Sequence, residues 1–488
     1  MFSSALCLQF FGPTMPQRPI SFLNLALRDD SSGSTLLPQD LPTAVSRARE
    51  AITSFHPDAQ PLHSRRSYWL EVVTTFFFAM TLMVIDGNVV AVFTKQTFDG
   101  VIAVATLNLL VAVLGATSEL ANLLSFFWGS LGQGRPKVRL INALQLAVIA
   151  ATALIAFLPQ TPVGLYGLVA AVIVARVCWS GILTLRPTLW RANYGPAVRS
   201  RIVGQIQTVQ MLIIALGGAA IGYTLDRLDP SVYRTIVPFA CGLGLIGVLT
   251  YSRLKVRGER AMLARERAST LMRFWDGPIV MWRILKRDPR YAQFMGCLFV
   301  LGFGNIMVGP VLVITLREHF NQGYFQSILI ASSVTNLVIP FAIPLWVRLM
   351  DRAHVVRFRS VQSWTFVVSS MCFLAGAYFH VLPLMFAGAV VQGVAFAGGN
   401  LAWHLGHVDF APPAETSHYM ATHVTLNGLR GLIAPFAAVA LYEVARAAGL
   451  NPSVALFGII LSITLAGCFG FLWLYHSMGK AAQTKGTR

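Results

Sequence analysis

The sequence predicts an all-α fold: a polytopic membrane protein whose twelve transmembrane helices form two duplicated six-helix bundles. Three observations lead to this prediction. Only 12% of the 488 residues are charged, 55% are hydrophobic and the mean hydropathy is +0.62, whereas a soluble domain carries roughly 25% charged residues. Apolar windows of about 20 residues recur along the chain, each long enough to cross a hydrocarbon core of about 30 Å. Short sequence stretches of the first half of the chain recur at similar spacing in the second half.

The apolar windows are predicted to be helices. Ala, Leu, Val and Gly dominate them without the alternating polar residues of an outer-membrane strand, and a helix satisfies its own backbone in lipid. The predicted spans are 68–93, 101–129, 138–158, 164–187, 201–225, 232–252, 292–316, 325–347, 358–379, 382–405, 420–444 and 453–476. They divide the chain into a disordered cytoplasmic tail (1–67), an N-terminal bundle (68–252), a basic cytoplasmic linker (253–291), a C-terminal bundle (292–476) and a short tail (477–488).

The placement of Lys and Arg predicts the orientation in the membrane. Most of the 38 basic residues lie on the side of the N-terminus, and five lie on the other side: Lys95, Arg227, Arg234, Arg317 and Arg446. Because cytoplasmic loops are enriched in basic residues, we expect both termini in the cytoplasm and a multi-pass location in the cell (inner) membrane. Short loops beside the bilayer account for the net charge of +18, so no nucleic-acid partner is expected.

Three landmarks support an internal duplication. The stretch "DGNVV" at Asp86 corresponds to "FGNIM" at Phe303, with an offset of 217 residues between the glycines. The basic turns after spans two and eight align through Trp128 and Trp346, and the ends of spans four and ten align through tryptophans with an offset of 213. Agreement within a few residues indicates a duplicated six-helix unit.

Four charged residues lie well inside predicted spans, away from the ends of the helices: Asp86, Glu119, Arg176 and Arg430. Each costs about 2.5–3.5 kcal/mol at the centre of a helix in lipid. Together they cost on the order of 10–14 kcal/mol, which is comparable to the whole net stability of a typical protein, about 5–15 kcal/mol. We therefore expect them to pair within the bundle or to line a cavity, where duplicated transporters bind their substrates and coupling ions.

Other polar residues extend this candidate site. In span two, Asn108, Glu119 and Asn122 share one helical face, and in span eleven His423, Asn427 and Arg430 do the same. The predicted substrate cavity consists of Asn88, Arg176, Asn305, Asn400, Trp403, Asn427 and Arg430, with Asp86 and Glu119 as proton-coupling residues. Hydrogen bonds that only hold the helices together are the alternative for the isolated Asn residues.

A histidine-rich stretch raises the alternative of a metal site. His404, His407, Asp409, His418 and His423 lie within 20 residues, and imidazole with carboxylate suits zinc or iron. The stretch "HLGH" lacks the Glu of the His-Glu-x-x-His zinc motif, so no metal and no cofactor is predicted. The chain also has no Gly-x-x-x-x-Gly-Lys-Ser/Thr phosphate loop and no Gly-x-Ser-x-Gly motif, so neither direct ATP coupling nor an enzyme is predicted.

With these features, residues 68–476 resemble the major facilitator superfamily, in which a turn reading Gly-x-x-x-Asp-Arg-x-Gly-Arg-Arg follows spans two and eight. The first turn keeps Gly129, Leu131, Arg135, Lys137 and Arg139 and has Gln133 at the acidic position. The second keeps Asp351 and Arg352 and has His354 in place of Gly. The resemblance implies that Gly129, Arg135, Asp351 and Arg352 control conformational gating.

Further motifs indicate the kind of transporter. "VIDGNVVAVF" around Asp86 is similar to a drug-exporter signature, and Arg176 followed by Gly181 is similar to a proton-coupled exporter motif with the spacing one residue off; "ALGGAAIG" in span five lacks the Pro of the antiporter motif. The resemblance implies a monomeric secondary transporter that moves a small organic solute by alternating access, with proton-coupled export as the first hypothesis. A metabolite uptake symporter and a non-transporting receptor or assembly protein on a degenerate transporter fold are the alternatives.

Overall fold

The computed structural model describes residues 53–268, 276–407, 409–412 and 415–486. All regular structure in these ranges is helical, which confirms the predicted all-α fold. Residues 1–52, most of the predicted disordered tail, lie outside the described residues, as do 269–275 of the predicted linker and 487–488 of the C-terminal tail.

The first half of the chain forms the N-half, built from eight α-helices among the described residues. They are α1 (Leu62–Val84), α2 (Gly87–Thr97), α3 (Val104–Leu123), α4 (Ser125–Gly132), α5 (Lys137–Leu154), α6 (Pro162–Asn193), α7 (Pro196–Arg227) and α8 (Tyr233–Tyr251). The linker contributes α9 (Glu259–Ala268) and α10 (Asp276–Arg287).

The second half of the chain forms the C-half. Its α-helices are α11 (Pro289–Glu318), α12 (Tyr324–Ile328), α13 (Val334–Met350), α14 (Val355–Phe379), α15 (Leu382–Leu405), α16 (Thr416–Ala447) and α17 (Pro452–Gly486). A π-helical turn, Leu329–Ser333, joins α12 to α13 into one long segment. In the described part of the chain, ten helical segments are long and apolar enough to cross a membrane. Helix α14 and the segment formed by α3 and α4 correspond to the other two predicted spans. The total agrees with the twelve spans predicted.

The structure differs from the predicted spans at several helix ends and at two helix breaks. The first helix begins at Leu62, six residues before the predicted start, and Gln60 just before it donates a hydrogen bond to the Oε1 atom of Gln205 at 3.2 Å. Predicted spans one and two are each divided, by Ile85–Asp86 and by Leu124. Hydropathy alone does not detect these breaks, because the residues on both sides of each break are apolar.

Each half packs within itself, and a smaller set of helices joins the two halves. In the N-half α1 packs on α7 and α8, and in the C-half α14 packs on α15 and α17. Helices α2, α3 and α7 of the N-half contact α11, α16 and the α12–α13 segment of the C-half. We call the end of the bundle that carries the linker helices the linker end, and the opposite end the far end.

Candidate functional site

Two helical irregularities meet where the halves face each other. Helix α1 ends at Val84 and α2 starts at Gly87, with Asp86 capping α2 by accepting a hydrogen bond from the backbone N–H of Val89 at 3.4 Å. The π-helical turn Leu329–Ser333 of the C-half lies opposite this break. Irregular backbone inside a membrane bundle is tolerated only where protein or a cavity surrounds it, and π-helical turns often mark functional sites.

Hydrogen bonds across this junction connect the two halves. The Ser332 hydroxyl donates to the Oδ1 atom of Asp86 at 2.9 Å, and the Asn88 amide donates to the carbonyl oxygen of Ala331 at 2.6 Å. Asn336 donates to the Ser332 hydroxyl oxygen at 3.2 Å. A change in the charge of Asp86 is therefore transmitted directly to the contact between the halves.

A cavity of about 350 Å³ adjoins this junction. Five residues predicted from the sequence line it: Asp86, Asn88, Glu119, Arg176 and Asn305. Other polar lining residues come mainly from the C-half: Ser332, Thr335, Asn336 and Gln392. Of the described residues that line the cavity, Phe396 is the one aromatic residue. The cavity thus lies between the two bundles and combines these polar groups with a larger apolar surface.

Arg176 on α6 forms a long ion pair with Asp86. The Nη2 atom of Arg176 lies 3.9 Å from the Oδ2 atom of Asp86, and their side chains are 12% and 22% exposed. This distance exceeds the 2.7–2.9 Å typical of a charge-assisted hydrogen bond. The pair explains how the bundle accommodates a carboxylate at residue 86, because a neighbouring opposite charge offsets part of the cost of burial.

Glu119 and Arg430 are connected through Asn427. The Asn427 amide donates to the Oε2 atom of Glu119 at 2.8 Å, and the Arg430 guanidinium donates to the Oδ1 atom of Asn427 and, at 2.8 Å, to the carbonyl oxygen of Leu298. Arg430 is 8% exposed. Glu119 lines the cavity, while Asn427 and Arg430 lie behind it and not among its lining residues. These three residues therefore form a chain of polar contacts from the cavity into the C-half.

Small residues allow this chain to form. A Cβ atom at Gly431 would overlap the Cβ and Cγ atoms of Glu119, and one at Gly302 would overlap the Arg430 guanidinium. Helices α3 and α16, which belong to different halves, approach closely here because glycine offers no side chain.

The remaining predicted cavity residues on α15 lie elsewhere. Asn400 and Trp403 are not among the residues that line the cavity, and the Trp403 ring packs edge-on against His423 at 5.4 Å between centroids. The side chain of His404 lies outside the described part of the structure. Asp409 accepts a hydrogen bond from the backbone N–H of Val355 at 2.7 Å. Among the described side chains, no three His, Cys, Asp or Glu groups come together as a metal site.

A network of charges joins the halves at the far end. Lys95, only 1% exposed, places its Nζ atom 2.5 Å from the Oε1 atom of Glu318 and donates to the Oδ1 atom of Asn108 at 2.7 Å. Asn108 also donates to Glu443 at 2.7 Å, and Arg446 pairs with both Glu318 and Glu443. We call these five residues the far-end lock.

Two further contacts add to the far-end closure. Arg317 of the C-half pairs with Asp99 of the N-half at 3.0 Å. Asp226 on α7 accepts hydrogen bonds from the backbone N–H groups of Tyr324 and Phe325, both at 2.8 Å. An acidic side chain at the start of a helix is favourable because the free N–H groups and the helix dipole attract it. The far end is therefore closed by ionic and capping contacts together.

At the linker end, the first predicted gating turn binds the linker. Lys137 is buried and donates to Glu266 of α9 at 2.5 Å, and the backbone N–H of Gly134 donates to the same carboxylate at 2.8 Å. The first turn has Gln133 at the position where an acidic residue is expected. Glu266 of the linker supplies the acidic group instead. Of the predicted gating residues, Arg135, Asp351 and Arg352 are exposed, and Gly129 has open space around it.

The sequence did not lead us to predict a second buried charge cluster, which is centred on Glu71. Glu71 on α1 is fully buried and accepts hydrogen bonds from the indole N–H of Trp190 at 2.6 Å and from the hydroxyl of Tyr194 at 2.8 Å, with Arg186 3.7 Å away. Ser332 and Lys95 were not predicted as site residues either. Two features of the sequence could have indicated these residues. One is the polar run "ASSVTN" in span eight, and the other is the presence of charged residues near the ends of spans.

Comparison with solved structures identifies the fold. A mutant of the nucleoside transporter NupG matches with a TM-score of 0.65 at 13% identity, covering 83% of this chain and 98% of that one. The D-xylose-proton symporter matches with a TM-score of 0.63 at 13% identity, covering 85% and 97%. The human organic anion transporter MFSD10 (TETRAN) matches with a TM-score of 0.54 at 13% identity, covering 84% and 100%.

Neither a protein-family model nor a curated protein matches the sequence. The likeness to solved structures extends over more than four fifths of the chain and nearly the whole of each matched protein. It agrees with the helical spans, the two halves and the cavity between them. The chain is a multi-pass membrane protein with the fold of the major facilitator superfamily transporters.

Proposed function

We propose that this protein is a secondary transporter that moves a small organic solute across the membrane by alternating access, coupled to protons. The observation that carries the proposal is the cavity between the halves, which Asp86 and Arg176 line inside the membrane-spanning region. Solved proteins with this fold include a nucleoside transporter and a xylose-proton symporter. These likenesses favour a transporter over an enzyme.

Asp86 is the proton-coupling residue in this proposal. Its carboxylate contacts Arg176 of its own half and Ser332 of the other half. Protonation removes the charge, so both the ion pair and the charge-assisted hydrogen bond weaken together. Proton binding thereby changes the free energy of the contact between the halves, which is what coupling requires. Glu119, which Asn427 contacts across the halves, is the second proton-binding candidate.

The two conformations differ in which end is closed. With the far-end lock formed, the structure corresponds to a far-closed state. Opening of the far end breaks the Lys95–Glu318 and Asp99–Arg317 pairs as the bundles rock about the cavity. The basic loops favour a linker end on the cytoplasmic side of a cell (inner) membrane, and one chain contains both halves of the site, so a monomer suffices.

Export is the favoured direction because the residues around Asp86 resemble the exporter signature. Uptake by symport is the alternative, and the likeness to the D-xylose-proton symporter favours it. Both directions use the same cavity and the same carboxylate. They differ in whether the solute and the proton cross together or in opposite directions.

Purified protein in proteoliposomes tests the proposal. Vesicles are incubated with a soluble metabolite extract under an imposed pH gradient of either sign, and their contents are identified by mass spectrometry. We expect at least one solute to accumulate in a gradient-dependent way, and Asp86→Asn to abolish accumulation while solute counterflow persists. Asp229→Asn, an exposed far-end acid outside the cavity, is the control. Unchanged accumulation in Asp86→Asn contradicts the coupling role, and no accumulation by the wild type favours a non-transporting receptor.

A further inference from the structure

The guanidinium of Arg176 is incompletely paired. Its Nη2 atom lies 3.9 Å from the carboxylate of Asp86, and its Nε atom is buried without a hydrogen-bond partner among the described residues. A guanidinium has five N–H donors, and leaving buried donors unpaired costs free energy, more so when the group is charged. The Arg176 side chain is 12% exposed and lines the cavity, so the N–H groups that reach the cavity are available to a ligand that supplies oxygen acceptors.

The carboxylate of Asp86, in contrast, has donors from the protein itself. It accepts hydrogen bonds from the Ser332 hydroxyl at 2.9 Å and from the Val89 backbone N–H at 3.4 Å. The protein therefore provides partners for the negative member of the pair and leaves the positive member short of acceptors. The imbalance favours a ligand with an anionic group over one with a cationic group.

Glu119, the second carboxylate of the cavity, does not reverse this preference for an anionic ligand. Glu119 accepts a hydrogen bond from Asn427, which in turn accepts one from Arg430. The positive charge of Arg430 thus lies one amide away from the negative charge of Glu119 and offsets it. Glu119 is consequently already coupled to a cation of the C-half.

Two amides in the wall and the volume of the cavity fit a small ligand that carries oxygen acceptors. Asn305 and Gln392 of the C-half line the same cavity and carry amides that can donate to further oxygens. A volume of about 350 Å³ holds on the order of ten groups the size of a water molecule. A single aromatic side chain, Phe396, among the described lining residues offers little surface for stacking a large hydrophobic compound.

We propose that the substrate is a small, oxygen-rich organic anion whose carboxylate or phosphate binds the Arg176 guanidinium, with Asn305 and Gln392 binding its other oxygens. This inference rests on the proposed transport function and names the substrate class for it. Guanidinium matches both oxyanions through two parallel hydrogen bonds, a geometry that the ammonium of Lys does not reproduce. The anion and the ionised carboxylate of Asp86 compete for the same guanidinium, so proton binding at Asp86 favours binding of the anion, which corresponds to the symport alternative of the proposed function.

Matched compounds test the proposal on the purified full-length chain. Glucose, glucosamine, glucuronate and glucose 6-phosphate share the pyranose scaffold and differ in charge, and succinate with its diamide forms a smaller pair. Thermal stabilisation and isothermal titration measure binding. We expect at least one carboxylate or phosphate to bind saturably, its neutral and cationic analogues to bind at least tenfold more weakly, and the two anionic arms to show which oxyanion is preferred.

Variants then assign the binding to the cavity. Arg176→Lys keeps the charge and should weaken anion binding at least tenfold, whereas Arg191→Lys, an exposed residue on the same helix, should leave it unchanged. Asp86→Asn removes the competing charge and should leave anion binding equal or tighter, which also provides a readout if Arg176→Lys folds poorly. The proposal is overturned by equal binding of neutral analogues, by unchanged affinity in Arg176→Lys, by weaker anion binding in Asp86→Asn, or by no saturable anion binding at all.

The outcomes separate this inference from the proposed function. Proton-driven accumulation of a neutral solute would keep the transport function and overturn the anionic substrate. Saturable anion binding that depends on Arg176, in a protein that accumulates no solute, would keep the anion site and overturn transport.

Discussion

Replacing Lys95 with Met should open the far end while both halves stay folded. Lys95 is 1% exposed, and its Nζ atom contacts Glu318 of the C-half at 2.5 Å and Asn108 of its own half at 2.7 Å. Met has a similar length, so the change removes the charge without leaving a large cavity. Glu318 keeps Arg446 as a partner and is not left as an isolated buried charge.

The size of the effect follows from the one contact of Lys95 that crosses between the halves, the contact with Glu318. A hydrogen bond to a charged group contributes about 1.5–3 kcal/mol, which is less than the 3–5 kcal/mol for breaking a buried pair and stranding its partner. Each 1.4 kcal/mol changes an equilibrium tenfold. Loss of the Lys95–Glu318 contact should therefore shift the population toward the far-open state by roughly 10- to 100-fold.

Distances between spin labels measure this shift. Labels at Gln160 and Leu450, exposed far-end residues of the N-half and the C-half, should report a longer separation in Lys95→Met than in the wild type, in a background without the native cysteines. Arg234→Met removes an exposed far-end charge outside the far-end lock and should leave the distances unchanged. Identical distance distributions in all three proteins would refute the lock as the element that holds the far end closed.

Three further predictions concern stability. Arg430→Ala should lower the free energy of unfolding by about 1.5–3 kcal/mol, because it removes the hydrogen bonds from the guanidinium to Asn427 and Leu298 and the positive charge that lies one amide away from Glu119. Glu119→Gln in addition should restore part of this loss, and purely additive effects in a double-mutant cycle of melting temperatures would contradict the coupling. Gly431→Val should cost about 1–3 kcal/mol through overlap with Glu119, and an unchanged melting temperature would show that α3 and α16 are not in close contact. The hydrogen bond from Arg287 lowers the pKa of Glu415, so this contact stabilises the fold above the pKa of Glu in the unfolded chain and is lost as the pH falls through the lowered value. Glu415→Gln should therefore melt below the wild type at pH 7, and the difference should disappear as the pH falls through the lowered pKa of Glu415; a difference that persists in acid would argue against the pair.

Much of the architecture could be predicted from composition alone. The cost of placing each side chain in lipid is nearly independent of distant residues, so apolar windows predict spans whatever the packing. This is why the all-α fold, the twelve spans and the two halves agree with the structure. The same reasoning singled out Asp86, Glu119, Arg176 and Arg430, because a charge inside an apolar window must find a partner or a cavity.

The sequence alone could not predict which partners those charges would have in the folded protein. Asp86 is bound by Ser332, which lies 246 residues further along the chain, and no local pattern connects the two. Lys95 was predicted to lie in a far loop because it stands at the end of an apolar window, yet the C-half buries it against Glu318. Glu266 of the linker replaces the acid that is missing from the first gating turn, a substitution that only the folded linker shows.

The sequence by itself thus determined which segments enter the membrane and which charges they carry there, since insertion depends on the sum of local side-chain free energies. The tertiary structure decided which charges meet, that Asp86 lies at a helix break opposite a π-helical turn, and that Arg430 lies behind the cavity and not at its wall. These features depend on how two bundles approach each other within a few ångströms, and close approach is set by packing and by glycines such as Gly431. Side chains hundreds of residues apart share a cavity only after that packing is complete.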